Sequence, residues 1–127
     1  MCGILYSQDS SGFPDLEMLK RRGPDDFKEV SKRLGRPDLA AIPIGAYEPR
    51  EFMKSSHINP EEAVKVFKDL GAKYAIAIHW GTFRLTLEKM DEPPIRLDQA
   101  MRIAGISKTR FRVLQHGQSW PEVFISS

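Results

Sequence analysis

Three histidines, one cysteine and a tyrosine–glutamate–arginine cluster hold most of the chemistry open to this 127-residue chain. His79 follows the apolar run Tyr74–Ile78 and is itself followed by Trp80 and Gly81. Active sites of α/β folds gather where strands end, and a glycine there lets the backbone turn away. A histidine in that place has the geometry of a base or a metal ligand. The same position also suits a core imidazole bonded to a carbonyl. His57 stands two residues before Asn59, the expected cap of a helix. Helix N-termini attract anions and lower the pKa of a nearby histidine. His57 therefore reads either as an active-site imidazole or as a solvated loop residue. His116 precedes Gly117 and reads as surface.

Tyr47, Glu48 and Arg50 directly follow a strand-like run, with Pro49 between them. A phenol, a carboxylate and a guanidinium so close together suit phosphate binding or the ordering of a pocket. A salt-bridged loop is the plainer use of the same residues. Cys2 becomes N-terminal if Met1 is removed. Its α-amino group, with an ordinary pKa near 8, would then serve as its own base. The alternative is a small apolar residue in a first strand.

The elements that must position these groups follow from spacing. Phe27, Val30 and Leu34 form one helical stripe, ended by Gly35 and Pro37. Leu39–Ile44 is a continuous apolar run, as in strands buried on both faces. Residues 45–58 carry many breakers and read as a long loop. Asn59, Pro60, Glu61 and Glu62 open a helix whose buried face is Ala63, Val66, Phe67 and Leu70, closed by Gly71. Tyr74–Ile78 is a second strand, and residues 81–94 read as loop. A third helix is expected from Asp98 to Ala104 and a last strand at Phe111–Leu114. Ile4, Leu5 and Tyr6 form a short apolar run at the start. Strand and helix alternating on short connections predict an α/β domain with a mostly parallel sheet.

Composition narrows the function classes. With 41% hydrophobic and 28% charged residues the chain is globular in type. Nineteen Lys and Arg against seventeen Asp and Glu leave a net charge of +2. That balance supplies no concentrated positive field, so no nucleic-acid partner is expected. One cysteine allows no internal disulfide and no cysteine zinc site. The longest apolar stretches fall well short of the ~20 residues of a membrane helix. No integral membrane segment and no secretory signal are expected, and a cytoplasmic location follows as the default.

Residues 27–117 contain IPIGAYEPR, the run from His57 through Asn59-Pro60-Glu61-Glu62-Ala63, and AIHWGTF. This stretch resembles the C-terminal part of metallo-β-lactamase-fold hydrolases of the N-acylphosphatidylethanolamine phospholipase D type. The resemblance implies that His79 takes the place of the last metal-ligand histidine and His57 that of an active-site histidine near the substrate. It also implies that Tyr47, Glu48, Arg50, Phe52 and Met53 line the substrate groove. Zinc is the implied cofactor. The chain has no H-x-H-x-D-H motif, however, so His79 is the single ligand carried over and the metal site is incomplete. Residues 1–26 resemble the start of class II glutamine amidotransferases of the asparagine synthetase type. There Cys2 takes the place of the nucleophile, and Arg22-Gly23-Pro24-Asp25 matches a second segment.

Together these readings predict a partial metallo-β-lactamase-like half-sandwich of three to four strands with three helices. Residues 1–26 form an N-terminal segment and 27–127 the half-domain. The expected function is that of a truncated phospholipase D-like hydrolase, inactive alone and acting as an oligomerising α/β module. Its expected partner is a second copy or the missing complementary half-domain. Two alternatives stand beside it: a zinc phosphodiesterase completed by a partner or a dimer-shared site, and an amidotransferase-related protein using Cys2.

Overall fold

The computed structural model describes Gly3–Leu5 and residues 26–120. Within them the order is β1 (Gly3–Leu5), α1 (Asp26–Leu34), β2 (Leu39–Pro43), α2 (Arg50–Met53), α3 (Pro60–Leu70), β3 (Tyr74–Ile78), α4 (Glu92–Ala104) and β4 (Phe111–Arg112). The strands form one sheet in the order β1-β2-β3-β4. β2, β3 and β4 run parallel, and β1 pairs antiparallel with β2 in the register Gly3 to Ala41 and Leu5 to Leu39. The α/β class and the mostly parallel sheet are those expected from the sequence.

One sheet face carries Ala40, Ile42, Ala75, Ala77 and Phe111, all buried. They share a single core with Val30 of α1, Val64, Val66, Phe67 and Leu70 of α3, and Leu97, Ala100 and Met101 of α4. The three longer helices thus serve this one face. Each fully buried large side chain there is worth about 1.5–3 kcal/mol of transfer free energy. The residues that alternate with them, Leu39, Tyr74, Ile76 and Ile78, are only partly buried. Trp120 is buried edge-on against Tyr74, with ring centroids 5.5 Å apart, and the Arg112 guanidinium lies over its ring at 4.7 Å.

Helix α3 follows its sequence signals. The Asn59 side chain accepts from the Glu62 amide at 2.9 Å, and the Glu62 carboxylate accepts from the Asn59 amide at 3.1 Å. Gly71 closes the helix in the left-handed conformation that glycine takes without steric cost (φ 61°).

Three boundaries differ from expectation. The 45–58 segment is not all loop, because Arg50–Met53 makes one helical turn. The Pro49 carbonyl accepts from Phe52 and Met53 at 3.1 and 3.0 Å, and the proline fixes the entry to that turn. Helix α4 begins at Glu92, six residues before the expected Asp98. Pro93 and Pro94 sit in its first turn, where missing amides cost nothing because no carbonyl would receive them. β4 is two residues long and stops before Val113 and Leu114.

Candidate functional site

The site lies at the C-terminal ends of β2 and β3, where both strands leave the sheet through strained turns. Ala46 and His79 are the non-glycine residues in the left-handed region, at φ 63° and 61° among the described residues. Such conformations cost of order 1–3 kcal/mol each and persist only where the surroundings impose them. Gly45 shows part of that imposition, because a Cβ on it would collide with the carbonyl oxygen of His79. The two turns are therefore packed backbone to backbone. Beside them opens a cleft of about 270 Å³ lined by Gly45, Ala46, His79, Trp80, Phe83 and Glu88.

The turn brings two of the candidate histidines together. The rings of His57 and His79 lie 5.3 Å apart with planes tilted by 31°. His79 is exposed and His57 half-buried. Burial first, and then the neighbouring His79, hold the His57 pKa below the ordinary histidine value, while Glu88 works in the opposite direction. The expected lowering is present, but its leading cause is desolvation rather than the helix terminus. His57 is itself held from both sides of its peptide: its amide donates to the Met53 carbonyl at 2.9 Å, and its carbonyl accepts from Arg50 Nη1 at 2.8 Å. His116 is exposed, with its Nε2 3.3 Å from Thr82 Oγ1 and its ring 6.2 Å from that of Trp80.

A buried carboxylate also lines the cleft. Glu88 accepts from the amides of Ala46, Tyr47 and Glu48 at 2.7, 3.3 and 3.0 Å, and from the Thr86 hydroxyl at 2.6 Å. Burial alone would raise its pKa, but the hydroxyl and amide donors outweigh burial and hold the carboxyl below its ordinary value. Successive amides converging on one anion form a nest, and the left-handed residue Ala46 makes it concave. Sequence reasoning missed Glu88. In Phe83–Glu88 the apolar residues alternate with polar ones, which suggests an inward apolar face. Here Phe83, Leu85 and Leu87 are each more than 70% exposed, while Thr86 and Glu88 turn inward.

The tyrosine–glutamate–arginine cluster is divided by the fold. Tyr47 has no exposed surface, and its hydroxyl donates to Glu92 at 2.7 Å. Burial, reinforced by Glu92 and opposed by Arg96, pushes its phenol well above the ordinary value. Its ring therefore stands behind the cleft rather than along it. Arg96, which no sequence signal singled out, stacks on that ring at 4.7 Å and pairs with Glu61 at 2.8 Å. Arg50 pairs with Glu62 at 2.6 Å, and Glu48 accepts from the Arg50 amide at 3.0 Å. This is the salt-bridged loop of the two sequence alternatives. Phe52 is 80% exposed and Met53 partly buried, both on the single turn of α2.

Cys2 and Arg22–Asp25 lie outside the described residues. Among those described, no group of three or more histidine, cysteine, aspartate or glutamate side chains is placed to hold a metal ion. His57 and His79 offer two imidazoles at most, where a zinc site needs three or four protein ligands. The described residues therefore do not complete the implied zinc site. No helix among them is long and apolar enough to cross a membrane.

A β-lactamase superfamily domain model matches residues 13–80. The chain is 44% identical over 117 residues to N-acyl-phosphatidylethanolamine-hydrolyzing phospholipase D 1 of Caenorhabditis elegans, covering 91% of this chain and 30% of that protein. It is 39% identical over 82 residues to the mitochondrial N-acyl-phosphatidylethanolamine-hydrolyzing phospholipase D of Saccharomyces cerevisiae, covering 64% of this chain and 18% of that one. An uncharacterized protein of Mycobacterium tuberculosis is 39% identical over 74 residues. The chain spans less than a third of the length of each of these relatives.

Proposed function

The chain belongs to the β-lactamase superfamily, and from that premise we propose that it supplies the histidine-bearing C-terminal part of a phospholipase D-like phosphodiesterase. In this reading the substrate class is an N-acylated phosphatidylethanolamine. These 127 residues do not turn it over alone, and they associate with a second copy or a complementary half-domain. The observation that carries the reading is the His57–His79 pair, 5.3 Å apart at the strand ends beside an apolar-walled cleft. The similarity to two phospholipases named for this substrate supports the choice of class.

The chain's own residues suggest how labour would divide. His79, exposed on a strained turn, presents an imidazole to whatever faces the C-terminal ends of the strands. His57, half-buried beside it, stays neutral near pH 7 and can accept a proton from water or a hydroxyl. Phe83 and Leu85 give the cleft an apolar wall that suits an acyl chain. Glu48, Phe52 and Met53 remain groove residues in this proposal, whereas Tyr47 and Arg50 act by holding the loop. A metal would supply charge stabilisation at the phosphate when bound, and its remaining ligands must come from outside the described residues.

Elemental analysis and a phosphodiesterase assay test the proposal together. The purified 127-residue chain should hold no stoichiometric zinc and release no phosphatidic acid from N-acyl-phosphatidylethanolamine. Co-expression with the N-terminal part of the C. elegans relative should restore turnover, and His79→Ala should abolish it again. Turnover by the chain alone would show that the ligand set is complete without a partner. Failure of the complemented pair to turn over would remove the support for the hydrolase reading.

A further inference from the structure

The two imidazoles of the candidate site stand on separate segments, His57 before α3 and His79 after β3. The loop of residues 45–50 touches both segments and is held by a single buried carboxylate. We propose that Glu88 is a positioning residue for the His57–His79 pair, fixing residues 45–50 so that the two rings face each other. It is not one of the histidines, and its hydrogen bonds go to loop amides and a hydroxyl, while its charge reaches His57 through space. It acts through two arms of the loop.

The first arm runs to His79. Glu88 binds the amides of Ala46, Tyr47 and Glu48, and so holds Ala46 in its left-handed conformation. That turn presses Gly45 against the carbonyl of His79, with no room for even a methyl group between them. His79, itself left-handed, is thereby held at the turn that aims its ring. The second arm runs to His57. The Glu48 carboxylate accepts from the Arg50 amide, and Arg50 then donates to the His57 carbonyl at 2.8 Å. The link is tied once more where the Leu87 amide donates to the Glu48 carbonyl at 3.2 Å.

The carboxylate is chemically suited to this task. It has acceptor sites for all four of its donors, which a neutral side chain does not. A glutamine with its oxygen in the Oε1 place would keep three of these donors but turn an NH₂ group toward the Glu48 amide, leaving that donor unpaired and removing the charge from the remaining bonds. Charge-assisted bonds of this kind are shorter and stronger than neutral ones, so the loop has one conformation rather than several.

Nuclear magnetic resonance of the histidine rings tests the proposal at neutral pH on the full 127-residue chain. Ring signals are assigned by replacing each of the three histidines with glutamine in turn. The native chain should show a ring-to-ring Overhauser effect between His57 and His79. In Glu88→Gln that effect should fall by more than half, and the His57 and His79 ring signals should shift while that of His116 moves less. Val30→Ala, a core truncation in α1, serves as the control, compared with Glu88→Gln at temperatures of equal unfolded fraction. It should leave the ring pair unchanged. A folded Glu88→Gln chain with native ring signals and a native Overhauser effect would overturn the proposal. So would equal disturbance in Val30→Ala, since that would make the effect one of general loosening. The proposal concerns the same histidines as the functional reading, but its readout needs no turnover. Its failure and that of the phosphodiesterase assignment can therefore be told apart.

Discussion

At the residue scale, Glu88 sets burial against hydrogen bonding. Burial penalises its charge, and four donors from three amides and a hydroxyl repay that penalty. A single hydrogen bond to a charged group contributes about 1.5–3 kcal/mol, and Glu88→Gln leaves one donor unpaired outright. We expect Glu88→Gln to destabilise the chain by about that much in urea titrations at neutral pH. The pH dependence follows from the sign of the shift. A carboxyl held below its ordinary value contributes stability that is complete above about pH 4.3, the unfolded value. That contribution fades as pH falls through the folded value. The gap in Tm between native and Glu88→Gln chains should thus be widest near neutrality and close in acid. A gap that stays constant would mean the charge of Glu88 contributes nothing to the nest.

At the element scale, α3 shows how much a local signal can specify. Asn59, Pro60, Glu62 and Gly71 mark its two ends, and the structure uses each as its chemistry suggests. Glu62 does more than close the capping box, since its carboxylate also binds Arg50 and ties α2 to α3. Asn59→Ala removes the acceptor for the Glu62 amide and should cost about 1 kcal/mol, as such caps usually do. Equilibrium unfolding by circular dichroism checks this, and a change below a few tenths would show that tertiary packing alone sets the start of α3. The start of α4 was less visible in the sequence. Two prolines read as loop, yet a first helical turn accepts them because its amides have no partner. The Phe83–Glu88 segment is loop, as expected, but the burial of its polar side was not legible in the sequence. Its alternation is real, but the polar side is drawn inward by the nest, which no local pattern reports.

At the scale of the whole molecule, the helices serve one face of the sheet. Leu39, Tyr74, Ile76 and Ile78 stand on the other, only partly buried. A second copy of the chain packed there would shield these side chains, and a specific interface of that kind buries more than about 1,000 Å². We expect the chain to run as a dimer in size-exclusion chromatography with light scattering. Ile76→Lys should shift it toward monomer, because an ammonium on that face would have to be desolvated. A monomer at all micromolar concentrations would dismiss the idea and leave the complementary half-domain as the occupant.

The sequence by itself determined the α/β class, the parallel strands and the ends of α3. Those are properties of neighbours along the chain, set by apolar period, capping chemistry and the residues that end strands. What it left open was decided by contacts between residues about twenty to fifty positions apart. The pairing of His57 with His79, the burial of Tyr47 under Arg96 and the grip of Glu88 on residues 46–48 are all of this kind. The fate of a polar side chain depends on which donors the fold brings to it. Near it in the chain Glu88 has Thr86 and its own amide, and it becomes the centre of a wider network only when the loop after β2 delivers three more amides to it.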